Sequence, residues 1–217
     1  MEPRRTAAAR ALLPLLVLES LVLVSGAAVA PEVMAEEAPV CESATAHSHA
    51  TCEAEFEYLV QRFNMTRTPA NTYFAPVFSS SQLNADGQPV TNTIMELQPA
   101  GTRIPWLRTN VATQLFLWHH RGAALAIHAL LPSGEYTREV LGDPLRHPGA
   151  QFQLAMPYMT WVSTEVLSDT EYVLMSGSAV PSFSRLDYDL ANPVELVAEF
   201  PKHEAVIMAA YDKAASN

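Results

Sequence analysis

The chain has 217 residues, with 13 Lys and Arg against 23 Asp and Glu, giving a formal charge of −10 at pH 7. A net-negative surface with no Lys/Arg cluster beyond the first ten residues is a poor match for nucleic acid or an anionic membrane. Hydrophobic residues make up 49% of the chain, enough for one domain with a substantial core.

At the start, Arg4, Arg5 and Arg10 precede an apolar run over 11–30 that ends in small residues, the build of a secretory signal. Cleavage is expected after Ala27, so that 1–27 is a signal peptide and the product is secreted or held in the secretory lumen, with no membrane contact afterwards. The rival is an uncleaved anchor. Pro14 and Glu19 interrupt the run, whereas a membrane span needs roughly 20 apolar residues.

Residues 28–52 are acidic, small and Pro/Ala-containing, and read as a flexible lead-in. They contain the only two cysteines, Cys41 and Cys52, an even count that suggests a disulfide in an oxidising compartment. The same stretch, CESATAHSHATC, holds His47 and His49, so a Cys/His metal site is the sharper alternative. Asn64-Met65-Thr66 is the one glycosylation sequon.

The domain proper is expected over 53–217. A helix is predicted over 53–63, where Phe56, Leu59, Val60 and Phe63 fall at helical spacing. From Tyr73 onward short runs rich in aromatic and β-branched residues are punctuated by Pro, Gly, Asn and Asp, which predicts strands over 73–78, 91–97, 113–119, 124–131, 136–141, 152–156, 160–165 and 172–179. A second helix is predicted over 201–215, opened by Pro201. Many short strands with turn signals between them indicate an all-β sandwich or barrel with short flanking helices.

The segments VLGDPL, MPYMTWVS and VLMSGSAVPSFSRLDYDLANPVELVAEFP resemble the poorly characterised cupin family related in fold to the deoxysugar epimerase of rhamnose biosynthesis. Trp161, Val180-Pro181-Ser182-Phe183, Asp187-Tyr188-Asp189-Leu190 and Phe200-Pro201 stand at the family's motif positions, and the similarity covers about 59–201. It implies a double-stranded β-helix, the small jelly roll of the cupins, often dimeric through sheet edges, with a pocket inside the barrel. Departures fall where chemistry is expected. A His-Pro-Glu-Gly-Gly-Tyr turn is replaced by TPANTYF, Trp-His-Arg by Trp106-Leu107-Arg108, and an Asp-Glu pair by Thr113-Gln114. A cupin metal site needs about three imidazoles and a carboxylate, so no metal and no cofactor is expected.

The adjacent pair His119 and His120 cannot replace the lost ligands, because neighbouring strand residues point to opposite faces. Alternation does not choose which of the two enters the barrel. His120 and His128 are the candidate acid or base groups, each weighed against a hydrogen-bonded core or rim role. Arg108 is the candidate oxyanion binder, weighed against a structural ion pair. Gln114, Trp118, Tyr158, Trp161, Glu165, Tyr73 and Phe183 are expected to line the pocket, although such aromatic residues are more often core; Glu165 is placed there by its alternation with Trp161 and Ser163. An aromatic interior with few cations suits a small apolar molecule better than a nucleotide-sugar.

Two functions compete. One is a metal-independent isomerase, epimerase or cyclase in a biosynthetic pathway; the other is a non-catalytic module that binds a small molecule or a protein. A metal-dependent dioxygenase is a third reading.

Overall fold

A computed structural model describes residues 40–41, 48–109, 113–182 and 188–214. The signal-like segment, His47 and Phe183 therefore lie outside the described residues, as does the lead-in apart from 40–41 and 48–52.

Among the described residues the first element is helix α1 (Ser48–Arg62), followed by strands β1 (Thr66–Arg67), β2 (Tyr73–Ser79), β3 (Asn92–Gln98), β4 (Arg103–Thr109), β5 (Gln114–Gly122), β6 (Leu125–Leu130), β7 (Tyr136–Leu141), β8 (Gln153–Met156), β9 (Trp161–Val166), β10 (Val173–Val180) and β11 (Tyr188–Leu190). Helix α2 (Pro193–Glu199), a 3₁₀ turn over Pro201–His203 and helix α3 (Glu204–Ala214) follow. The strands form two antiparallel sheets, β1-β2-β3-β10-β5-β8 and β11-β4-β9-β6-β7. This is the all-β jelly roll expected from the resemblance.

All eight predicted strands are present, and three more join them. β4 was hidden by Pro105 within RIPWLRT, because Pro lacks the N–H a strand ladder needs. It is accommodated at a register shift between Ile104 and Leu107 in the pairing with β9. β1 and β11 are too short to carry a pattern. Helix α2 has a start signal that is plain once seen: the Asn192 side chain accepts from Val194 N, and Pro193 occupies the first turn. α1 starts at Ser48, so the helix takes in the last five residues of the expected lead-in.

Helices cover part of the outer face of each sheet. Between them Leu117, Leu125, Ile127, Leu141, Leu154, Val162, Val166, Val173 and Met175 pack into an aliphatic core. Outside the first sheet, Leu59, Phe56 and Val60 of α1 pack on Ala75, Leu97, Tyr172 and Leu174. Outside the second, Leu196, Phe200, Ile207 and Ala210 close over Trp106, Leu130 and Trp161. Each fully buried aliphatic side chain contributes roughly 1.5–3 kcal/mol, so both helical layers belong to the domain.

The N-terminal helix is also held by polar links. The expected disulfide joins Cys41 to Cys52, with Cα atoms 4.4 Å apart. Buried Glu55 accepts hydrogen bonds from the Cys41 backbone N–H and from Arg121 Nε at the end of β5.

At that strand end the backbone runs too close to its neighbour for any side chain. Gly122 has φ 87°, and a Cβ there would lie 2.0 Å from the Tyr172 carbonyl oxygen. Gly122→Ala is expected to destabilise the fold by about 2 kcal/mol or more, combining left-handed strain with a backbone clash. Chemical denaturation of the purified variant checks this.

Candidate functional site

Strand alternation and the three core clusters fix what each side chain faces. On β3, Met95 and Leu97 meet α1, so Ile94, Glu96 and Gln98 point between the sheets. On β5, Leu115 and Leu117 point inward, with Leu115 packed against the inner core and Phe116 and Trp118 on the opposite face. On β9, Val162 and Val166 point inward, Thr164 shares their face, and Trp161 meets the C-terminal helices.

This parity moves the sequence candidates. His119, opposite inward Met175, is the inward member of the pair. Its Nε2–H donates to the Ala123 carbonyl at 3.0 Å. His120, expected to be catalytic, is exposed on the outer face, where it pairs with Ser176 Oγ. Gln114 also lies on the outer side and donates to the Met156 carbonyl of the edge strand β8. Trp118 stacks on Phe116 with centroids 6.2 Å apart. Tyr73 packs edge-on against Phe56 of α1, and Tyr158 is exposed in the β8–β9 connection.

Glu165, His128, Trp161 and Arg108 share the outer face of the second sheet. The expectation that Glu165 enters the interior fails on parity: Glu165 does alternate with Trp161 and Ser163, but that face looks toward the C-terminal helices. None of the described residues expected to line the pocket points between the sheets. Of the expected rings Tyr73 and Trp161 occupy helix–sheet interfaces and Trp118 the outer face of β5, whereas the cluster between the sheets is aliphatic, with Phe74 alongside it opposite Glu96.

What does point between the sheets was not singled out in the sequence. Gln98 is buried; its Nε2 donates to Glu96 Oε1 at 3.0 Å, and Thr164 Oγ1 donates to its Oε1 at 3.2 Å. This is a connected polar line across an apolar interior. Around it the inward-facing Ile94, Glu96, Leu107, Leu115, Thr164 and Gly177 are only half-buried, unlike the closed aliphatic core beside them. At Gly177 a Cβ would meet Leu117 Cδ2 at 3.6 Å and Ile94 Cγ1 at 3.9 Å, ordinary contacts, so a methyl group would be accommodated there. The available signal was the pair Glu96 and Gln98, two residues apart on one strand face.

On the outer face His128, 6% exposed, forms a second polar chain. Its Nδ1 pairs with Tyr136 OH at 2.8 Å, and its Nε2 lies 3.5 Å from Glu165, whose carboxylate is also 3.5 Å from Arg103 Nη1. The Tyr136 ring lies between those of His128 and His203, at 6.1 and 5.7 Å. Burial lowers the His128 pKa, helped by nearby Arg103 and opposed by Glu165. This chain reaches the C-terminal cover through Tyr136, which packs against its cluster and lies beside His203.

Arg108 lies 4.3 Å above the Trp161 ring, with Nη2 3.5 Å from Asp189. Both residues line a cleft between β11 and α2.

The profile of the family described as Cupin superfamily (DUF985) matches residues 57–191. The chain belongs to the cupin superfamily. Two solved cupin-like structures share its fold: protein SO0799 from Shewanella oneidensis, at 20% identity and TM-score 0.62 over 70% of this chain and 94% of that one, and a hypothetical protein from Leishmania major, at 22% identity and TM-score 0.63 over 70% and 96%. No curated protein matches the chain.

The cupin metal set does not fit the side chains present. Among the described residues no three His, Cys, Asp or Glu side chains converge as a metal site would require. The inward positions of β5 and β10 carry Leu115, Leu117, Met175 and Gly177, and the inward His119 of β5 is engaged by the Ala123 carbonyl. Cys41 and Cys52 are bonded to each other, so neither thiolate is available for the alternative Cys/His site.

Burial lowers the pKa values of His119, His120 and His128. A lowered folded-state value means that the unfolded chain takes up protons first as pH falls. The histidine contribution to stability is therefore complete above about pH 6.5 and is lost progressively below it. Urea unfolding at pH 7.5 and 5.5 is expected to show lower stability at the acid end, with a smaller difference in His128→Gln.

Proposed function

We propose that this cupin binds a small, largely apolar organic molecule in the half-open space between its sheets. The one observation behind this reading is the inward face itself: aliphatic walls, a half-buried glycine at Gly177, and a polar line of Glu96, Gln98 and Thr164. Such a site is concave, mainly apolar and sparingly polar, which is how pockets for small molecules are generally built. Glu96 accepts hydrogen bonds, so it favours a guest carrying a hydroxyl or amine over one carrying a carboxylate.

The binding module is preferred to the isomerase because His120, His128 and Arg108 all lie outside the barrel. An isomerase reading rests on Glu96 and the inward His119, groups able to move a proton on a bound substrate.

Ligand-observed NMR with benzyl alcohol, toluene and benzoate tests the binding site. Benzyl alcohol is expected to give the strongest saturation transfer and benzoate the weakest. Gly177→Val fills the space and is expected to abolish the signals with the fold retained. In Glu96→Gln the discrimination against benzoate is expected to shrink. Equal signals in wild type and Gly177→Val would remove the barrel as the site.

We propose further that the chain is exported. Support comes from its N-terminal sequence, the Cys41–Cys52 disulfide and the exposed Asn64, which sits with φ 48° in the turn after α1. Expressed through a eukaryotic secretory pathway, the protein is expected to lose mass on enzymatic deglycosylation, and Asn64→Gln to show no such loss.

A further inference from the structure

On the outer side of the second sheet, away from the barrel interior, β11, the turn over 191–192 and α2 stand off from Arg108 and Trp161 to leave a cleft of about 580 Å³. Its polar equipment is unusual for a surface recess. Trp161 is 7% exposed, yet its indole N–H has no acceptor; Arg108 Nε is also buried without one. The guanidinium has five donors in a planar fork, its face is covered by the indole, and its ion pair with Asp189 is a long 3.5 Å to a half-exposed carboxylate. A stacked guanidinium that lines the cleft, a quarter exposed and held by one long ion pair, suits a planar carboxylate.

The opposite wall has the opposite charge. Glu195 and Glu199 of α2 both line the cleft, lie one helical turn apart on the same side of the helix, and make no ion pair among the described residues. Leu196 between them is buried and supplies an apolar floor beside Trp161. A simple anion would meet the glutamates, and a simple cation would meet Arg108. A molecule carrying both charges satisfies both walls.

We propose that this cleft binds a small zwitterion, a free amino acid with an apolar side chain, with its carboxylate on Arg108 and its ammonium group on Glu195 and Glu199. The site is separate from the barrel and does not depend on what the barrel holds.

Isothermal titration with leucine, isovalerate and isoamylamine tests it, with tryptophan fluorescence reporting on Trp161. Leucine is expected to bind and to perturb the emission, and each half-molecule to bind at least ten-fold more weakly. Arg108→Lys keeps the charge but loses the fork and is expected to weaken leucine at least ten-fold. Glu195→Gln/Glu199→Gln, on the exposed side of a short helix, leaves the fold alone and is expected to bring leucine down to the level of isovalerate. Failure of leucine to bind would overturn the proposal. So would isovalerate or isoamylamine within two-fold of leucine, or unchanged leucine affinity in the glutamate double variant.

Discussion

The two-residue alternation of the strands, imposed on sheets packed against each other and against helices, governs the rest of the molecule. The central strands have two faces with different widths to fill. The space between the sheets accepts Leu, Ile, Val and Met, while the wider helix–sheet interfaces accept Trp106, Trp161, Tyr73 and Phe56. A displacement of one residue in register would exchange those sets and leave neither space filled. The register is therefore held by volume as well as by hydrogen bonds.

The same constraint decides where polar groups can sit. Between the sheets the Glu96–Gln98–Thr164 line crosses the apolar core and each member has a partner in it, while inward His119 is engaged by the Ala123 carbonyl. Outside, Arg121–Glu55 and the Arg146–Glu171 pair, at 3.1 Å, clamp the ends of β5 and the strand leading into β10. Arg103, Glu165, His128 and Tyr136 form a further chain near the C-terminal cover. A buried polar group without a partner costs about 1–3 kcal/mol, so these chains specify how helices and sheets dock.

Much of the fold was legible in the sequence because strand composition and turn residues are local. Phe152, Trp161 and Tyr172 open or precede strands where their composition says they should. Pro105 misled because tolerance of a proline depends on a register shift in the neighbouring strand, which no local pattern records. The site was less legible. In strands such as TQLFLWHH both faces are apolar, so the sequence cannot say which parity faces the barrel, and aromatic bulk by itself does not distinguish pocket lining from packing under a helix. Only the third dimension shows that His120 and Trp118 look outward and His119 inward. Glu96 and Gln98 passed unnoticed because two polar residues in an apolar strand resemble an ordinary solvent-facing edge.

Trp106 is wholly buried and donates its indole N–H to the Ile207 carbonyl of α3. The stretch that matches the family stops short of α2 and α3. A boundary drawn where the family pattern ends would uncover Trp106, Leu130 and Trp161 together, turning an interior aromatic sheet into sticky surface. For this protein, kinship and foldability thus mark out different lengths of polypeptide.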